Sequence, residues 1–192
     1  LRRVARHHPK EDQRYEQLRR DWSRSLAAMM FGFFQFQTVS VVALGAALVL
    51  AAQNPDFGFS TLELTGLALW LCAVIGEATA DAQLAAFKRT ATSAEVCDRG
   101  LWRYSRHPNY FFQWLIWVGW FTFALSSPFG WVAIIGPLTI LYLLLRVTGI
   151  PATEEQSLRS KGDAYRRYQA RTSAFVPLPP RATPSSNAPA QS

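Results

Sequence analysis

The sequence has few cysteines and none of the common short motifs for binding nucleotides or metals. Its 2 cysteines are Cys72, inside an apolar run, and Cys97, in a basic loop. Two thiols in these settings form neither a disulfide framework nor a zinc cluster, and they are consistent with a reducing, cytoplasm-facing loop. The glycine-rich dinucleotide fingerprint, the phosphate-binding loop and the HExxH pattern of zinc proteases are all missing. We therefore predict no bound metal.

Charge is missing from several long stretches, although the average composition is ordinary. The chain is 49% hydrophobic and 17% charged, but the charged residues are crowded into the gaps between apolar runs. An α-helix rises about 1.5 Å per residue, so about 20 apolar residues cross a hydrocarbon core of about 30 Å. We therefore predict an all-α, polytopic membrane helix bundle with four transmembrane helices, at residues 26–52, 61–80, 109–126 and 131–149.

The same segregation predicts the domain organisation. Residues 1–25 form a basic arm, expected to be a short surface helix, and residues 26–176 form the transmembrane domain with a polar C-terminal helix. Residues 177–192 are rich in Pro and Ser, cannot bury a core and are predicted to be disordered. The chain begins at Leu1 without a Met or a signal-peptide pattern, so we expect it to be a piece of a longer protein with more helices.

The positive charges predict the orientation in the membrane. Of the 20 Lys and Arg residues, 8 lie in residues 1–25, 5 in residues 82–108 and 7 from Arg146 onward. The two remaining loops, QNPDFGFS and SSPFG, contain none. Because positive loops face the cytoplasm, both termini and the loop before residue 109 are predicted to be cytoplasmic. The formal net charge of +7 is therefore attributed to membrane topology and not to nucleic-acid binding.

The densest polar cluster, GLWRYSRHPNY at residues 100–110, leads directly into an apolar run. Pro108 fixes its own φ and disfavours a helical His107, so a helix is predicted to begin just after them. The free N–H groups and the dipole at such a helix start favour an anionic group, to which Arg106 and Asn109 would add donors. An interfacial belt of aromatic residues and arginines accounts for the same residue types. Both interpretations stay open at this point.

Other polar residues lie at the predicted cytoplasmic ends of the helices. Glu77 and Asp81 stand four residues apart on one helical face, where two carboxylates repel each other unless they are solvated, protonated or paired. Arg146 lies near the end of the fourth predicted span, where it could snorkel to the interface or hold a phosphate. Residues 153–168 are predicted to form a polar amphipathic helix with Thr153 as its N-cap.

Several segments together resemble the C-terminal half of the steroid 5α-reductase and sterol-reductase superfamily, especially its bacterial branch of unknown function. The likeness extends from about Glu11 to Pro177. The segments that carry it are EDQRYEQLRRDW, EATADAQLAAFK, CDRGLWRYSRHPNY, the basic span end at Arg146, and the set Glu154, Glu155, Gly162, Tyr165, Tyr168, Phe175 and Pro177.

The resemblance implies an enzyme of the bacterial inner membrane that transfers a hydride from NADPH to a carbon–carbon double bond conjugated to a carbonyl. Its substrate would be a steroid-like or other lipophilic enone that arrives from the membrane lipid. Arginines and helix N-termini suit the phosphates of NADPH, whereas carboxylates and amides suit its hydroxyls and carboxamide. Carried over by motif position, the cofactor-binding residues are Asp81, Lys88, Trp102, Arg106, His107, Asn109, Arg146, Glu154, Glu155 and Tyr165.

The chain departs from the family pattern at three points. Ala85 stands where some relatives have an arginine, and Gln113 stands where a carboxylate is common. The family's substrate-side acids lie in earlier spans that we do not find in this chain. The sequence therefore assigns no catalytic residue, and it does not identify the substrate or the oligomeric state.

Two other function classes compete with the reductase. The RHPNY segment with paired acids also resembles the isoprenylcysteine and phospholipid methyltransferases, which bind S-adenosylmethionine. That cofactor carries a positive sulfur and no phosphate, so it needs few arginines. A non-catalytic membrane module, such as a partner subunit, is the third class. The longer match through CDRGLWRYSRHPNY favours the reductase.

Overall fold

The chain is described from a computed structural model that covers residues 58–92, 94–147 and 149–181 and single helical positions between residues 31 and 49. The chain divides into two compact units, Leu1–Val42 and Ala43–Ser192. The predicted basic arm at residues 1–25, most of the first predicted span and residues 182–192 lie outside the described residues. The elements below belong to the second unit.

The first long helix, α1, is Thr61–Thr90. A reciprocal capping box fixes its start: the Ser60 hydroxyl accepts from the Glu63 N–H at 3.2 Å, and the Glu63 carboxylate accepts from the Ser60 N–H at 2.7 Å. The helix begins where the second span was predicted to begin, and it continues past residue 80 because no Gly or Pro interrupts residues 81–90. Lys88 and Arg89 in its last turn complement the helix dipole.

Helix α2 is Pro108–Ala124, with Pro108 in its first turn, which confirms the predicted helix start. It packs along α1. A Cβ atom on Gly66 of α1 would lie 2.6 Å from the Phe123 backbone nitrogen and 2.8 Å from the Gly119 carbonyl oxygen of α2. The two backbones therefore approach each other as closely as small residues allow, which is typical of helix pairs in membranes.

The chain then continues through three shorter helices. A left-handed Phe129, with φ of 59°, leads into a 3₁₀ segment at Gly130–Ile134. Helix α3, Ile135–Tyr142, packs on α2 and ends in a π-helical turn at Leu143–Val147. Helices α4 and α5 follow at Ile150–Lys161 and Asp163–Arg171.

The C-terminal helical region differs from its prediction in two respects. Thr153 is not an N-cap, because α4 begins at Ile150 with Gly149 before it and a proline in its first turn. The Thr153 hydroxyl instead donates back to the Gly149 carbonyl at 2.9 Å. The single helix predicted at residues 153–168 is also wrong, since Gly162, with φ of +52°, separates α4 from α5.

The segment after α5 returns along the start of α2. The Arg106 N–H donates to the Ser173 carbonyl at 2.8 Å beside an isolated parallel bridge between Ser105 and Ser173. Residues 177–181, which were expected to be disordered, are fixed by two backbone bonds: Leu178 N–H to Tyr104 O at 2.9 Å, and Arg181 N–H to Arg171 O at 2.8 Å.

All regular elements of the described residues are helical, as the predicted fold class requires. Two stretches, Thr61–Thr90 and Gly130–Lys161, are long and apolar enough to cross a membrane. Helix α2 has 17 residues, or about 25 Å at the usual helical rise, which is shorter than a hydrocarbon core of about 30 Å. The described residues therefore show two candidate spans, and the number four remains a prediction.

Candidate functional site

The loop before α2 is fastened to α1 by a glycine and two polar contacts. Gly100 has a φ of +54°, and a Cβ on it would lie 2.4 Å from the Gln83 side chain. The same Gln83 accepts from the Leu101 N–H at 2.9 Å. The Trp102 indole, which is buried, donates to the Ala80 carbonyl at 2.9 Å. These contacts hold residues 100–107 against the second half of α1.

Arg106 and Glu154 form the ion pair on which the site is built. The Arg106 Nε and Nη2 atoms each lie 2.7 Å from Glu154 Oε1, and the two side chains are 11% and 17% exposed. Arg106 Nη1 donates to the carbonyl oxygens of Gln169 at 3.0 Å and Thr172 at 2.7 Å. All three guanidinium nitrogens therefore have protein partners, and the side chain joins the start of α2 to α4 and to the end of α5.

Two more side chains share the Glu154 carboxylate. His107 Nε2 lies 3.4 Å from Glu154 Oε1, and the Gln169 amide donates to Oε2 at 2.9 Å. The buried His107 ring stacks on Tyr110, with ring centroids 5.3 Å apart. Each oxygen of the carboxylate therefore accepts at least one hydrogen bond, and these bonds hold the carboxylate in one orientation.

The two tyrosines of α5 complete the buried wall of the site. The Tyr168 hydroxyl donates to the Trp102 carbonyl, and Ser105 Oγ donates to the Phe175 carbonyl at 2.8 Å. Burial, with the Glu154 charge as a second cause, raises the pKa of Tyr165 to about 12. Burial is also the main cause that raises the pKa of Tyr168. Both phenols are thus neutral hydrogen-bonding groups at physiological pH.

A second set of polar contacts connects α1, α2 and α4. The Asn109 amide donates to Asp81 Oδ1 at 3.1 Å, and its own Oδ1 accepts from the Tyr110 N–H at 3.0 Å. The Tyr110 hydroxyl lies 3.2 Å from Thr153 Oγ1. The Asp81 side chain is exposed, so it retains acceptor positions for a ligand.

We call residues 97–107, α4, α5 and residues 172–181 the polar cap.

The structure brings some of the residues predicted from the sequence together and leaves others apart. Arg106, His107 and Glu154 are in contact, and Tyr165 lies close enough for the charges of Glu154 and Arg106 to affect its pKa. Asp81 and Asn109 form the second contact set, and Trp102 supports the loop between the sets. The remaining three are exposed: Lys88, Arg146 and Glu155, of which Glu155 pairs with Arg159 in its own helix.

Sequence reasoning missed Gln169, which holds one oxygen of Glu154. Its position four residues after Tyr165 places it on the same face of α5, and this spacing was the available signal. It also missed Gln83 and the pairing of Arg171 with Asp98. Within the described residues, no group of three or more His, Cys, Asp or Glu side chains could hold a metal ion.

The arrangement supplies carboxylates, amides and hydroxyls but few free cations. Asp81 and Asn109 can accept from or donate to hydroxyls and carboxamides, whereas both oxygens of Glu154 already accept from protein groups. Because the Arg106 guanidinium is engaged by protein groups, a phosphate would have to be held by an exposed cation such as Lys88.

Three comparisons with known proteins bear on this arrangement. A family model described as "Protein of unknown function (DUF1295)" matches residues 1–172. No curated protein and no solved structure matches the chain.

Proposed function

We propose that this chain, which belongs to the family described as protein of unknown function (DUF1295), is an NADPH-dependent membrane reductase of a conjugated carbon–carbon double bond. The match covers residues 1–172 and thus both contact sets of the site. The steroid-reductase resemblance of CDRGLWRYSRHPNY supports the reaction class, and the polar groups of the two contact sets are those that we assign to the cofactor. We propose the bacterial inner membrane as the location, with the polar cap on the cytoplasmic side.

Exposed apolar side chains support membrane embedding. Along one side of α1, Leu64 is 53% and Ile75 is 64% exposed. Such residues on a helix of 30 residues cost little in lipid, whereas water would make them an aggregation-prone surface. A lipophilic substrate can reach the protein from the same lipid phase.

The observation that carries the proposal is a continuous series of polar contacts among four segments of the sequence: α1, the start of α2 with the residues before it, α4 and α5. Asp81 from α1 meets Asn109 from α2, and Tyr110 from α2 meets Thr153 from α4. Glu154, the next residue, meets the segment that precedes α2 and, through Gln169, also α5. Polar groups that converge from distant parts of a sequence are characteristic of a ligand site.

The donor set fits NADPH in the following division of roles. Lys88 lies seven residues after Asp81, so the two residues share one face of α1, about 10 Å apart along its axis. Lys88 would hold a phosphate, and Asp81 with Asn109 would hold ribose hydroxyls or the carboxamide. When bound, NADPH would supply the hydride, and a proton from solvent or an acid would complete reduction of the enone to a saturated ketone. The described residues assign no such acid.

The experiment is an NADPH titration of the purified protein in detergent, followed by nicotinamide fluorescence. Lys88→Ala removes the proposed phosphate contact, whereas its neighbour Arg89→Ala removes the same charge from a different face of α1. We expect Lys88→Ala to weaken NADPH binding about tenfold, which is the loss of one charge-assisted hydrogen bond, and Arg89→Ala to change it little. Equal effects of the two substitutions would reject the assigned role of Lys88, and a wild-type protein that binds no NADPH would reject the reductase.

One observation favours a methyltransferase as a second candidate. Because Arg106 and Glu154 engage each other, the groups left available in the two contact sets are the Asp81 carboxylate, the Asn109 amide and hydroxyls. These groups suit the positive sulfur and the ribose of S-adenosylmethionine, which has no phosphate. Titration of the same protein with S-adenosylmethionine separates the two candidates, because tighter binding of this cofactor than of NADPH would reverse our choice.

The substrate class is tested by product analysis. The protein in lipid nanodiscs is incubated with NADPH and a panel of steroidal and non-steroidal enones, and saturated ketones are measured by mass spectrometry. We expect the saturated product only with NADPH and only from enones, while the matching isolated alkenes stay unreacted. Oxidation of NADPH without a saturated product would contradict the assigned reaction.

A further inference from the structure

A cavity lined in part by Arg106 lies between the end of α5 and residues 172–181. It has a volume of about 230 Å³, which is well above the roughly 15 Å³ that a single water needs. Its lining mixes apolar residues with polar and basic ones, and the residues that matter below are Arg106, Gln169, Arg171, Ser173 and Arg181. It is thus large enough for a small solvated ligand.

Three of the ten lining residues are arginines, and none is an acid. Arg106 is balanced by Glu154, and Arg171 is balanced by Asp98, both from outside the lining. Arg181 is exposed and has no acidic partner within the described part of the chain. The cavity therefore has an excess positive charge that the described protein groups do not balance.

Backbone hydrogen bonds set the positions of the arginines around the cavity. Arg181 N–H donates to the Arg171 carbonyl at 2.8 Å, so these two residues are adjacent although they are ten positions apart in the sequence. On the opposite side, the Arg106 N–H donates to the Ser173 carbonyl at 2.8 Å. Main-chain bonds thus place the backbones of these three arginines around the cavity before any ligand is present.

We propose that this cavity binds a phosphate group. Guanidinium groups hold phosphate oxygens in paired, charge-assisted hydrogen bonds, and a phosphate offers enough acceptors for more than one arginine. The Ser173 hydroxyl would add a neutral donor. The phosphate comes either from an anionic lipid headgroup, since the chain carries membrane-spanning candidates, or from a soluble phosphate compound. The site does not depend on the reductase proposal, because none of Lys88, Asp81 and Asn109, to which we assign the NADPH contacts, lines it.

The test measures binding to the purified full chain in a neutral detergent by isothermal titration calorimetry. One arm uses inorganic pyrophosphate, and the other uses a short-chain phosphatidylglycerol against the matching phosphatidylcholine. Arg181→Ala is the test variant, and Arg167→Ala is its control, since Arg167 is an exposed arginine of α5 that does not line the cavity. Arg181→Lys keeps the charge but loses the paired geometry.

We expect Arg181→Ala to weaken binding of the preferred ligand about tenfold, Arg181→Lys to weaken it less, and Arg167→Ala to leave it nearly unchanged. Preference for pyrophosphate identifies a soluble source, and preference for phosphatidylglycerol over phosphatidylcholine identifies a lipid source. Absence of binding in both arms overturns the proposal. Equal weakening by Arg181→Ala and Arg167→Ala also overturns it, because binding would then reflect general surface charge. Thermal unfolding of each variant verifies that the fold is intact.

Discussion

The α1–α2 pair and the polar cap are held together by opposite means. The helix pair is joined through glycines that bring the backbones into contact, and most of its outward side chains are apolar. The polar cap is joined through buried or half-buried charges and hydroxyls, with Arg106 and Glu154 at its centre. The apolar helix pair therefore relies on close packing, whereas the polar cap relies on hydrogen-bond and ion-pair partners.

The largest effect is expected from breaking the central pair of the polar cap. Glu154→Ala leaves the 11% exposed Arg106 without its counter-ion, which costs about 3 kcal/mol of unfolding free energy. The matched substitution Glu155→Ala breaks an exposed pair with Arg159, whose side chains are 65% and 63% exposed, and costs at most about 1 kcal/mol. Denaturant unfolding in detergent measures both, and similar losses in the two variants would mean that the buried pair has no special role.

The next effect concerns the helix pair. Gly66→Ala places a Cβ 2.6 Å from a backbone nitrogen of α2, which cannot move without moving the helix, whereas Gly76→Ala meets the Phe112 side chain at 2.4 Å. A side chain can rotate away, so we expect Gly66→Ala to destabilise by about 1–3 kcal/mol and Gly76→Ala by less. Unfolding in detergent tests the order of the two variants. A larger loss for Gly76→Ala would contradict backbone contact as the basis of the pair.

The smallest effect is expected for the labelling rates of the two cysteines, which compare the helix pair with the polar cap in the wild-type protein. Cys72 is exposed on α1, and Cys97 is buried in the polar cap. Burial raises the pKa of the Cys97 thiol, so less thiolate is present at neutral pH and the labelling rate should rise as the pH increases.

If lipid surrounds α1 as we propose, a water-soluble maleimide should leave Cys72 unlabelled in intact membranes and label Cys97 slowly. Detergent should make Cys72 reactive while Cys97 stays slow until the protein unfolds. The variants Cys72→Ser and Cys97→Ser identify which thiol reacts. Rapid labelling of Cys72 in sealed membranes would show that this side of α1 faces water.

The local features of the fold were the ones open to prediction from the sequence. Pro108 marks the start of α2 because a helix tolerates proline only in its first turn, and that prediction is confirmed. Thr153 was wrongly predicted as an N-cap, because Pro151 lies in the first turn of a helix that begins earlier, at Ile150. The break at Gly162 was overlooked because a single glycine inside a polar helical pattern is a weak signal.

The site was harder to predict because its contacts join residues far apart in sequence. The family resemblance selected Arg106 and Glu154, but nothing in the sequence shows that these residues, 48 positions apart, bind each other. In the structure Arg106 pairs with Glu154, and its cofactor-binding role stays a prediction. Gln169 was not selected, although it lies four residues after Tyr165, because the helix was predicted to end at residue 168.

The most direct test of the account is hydrogen exchange, followed by mass spectrometry, of the protein in nanodiscs with and without NADPH. A cofactor bound at the contact sets should slow exchange in residues 81–90, 97–110 and 150–171 and leave residues 61–75 of α1 unchanged. S-adenosylmethionine at the same concentration should have no such effect. Protection that is absent with NADPH, or that appears only with S-adenosylmethionine, would contradict the proposed cofactor site.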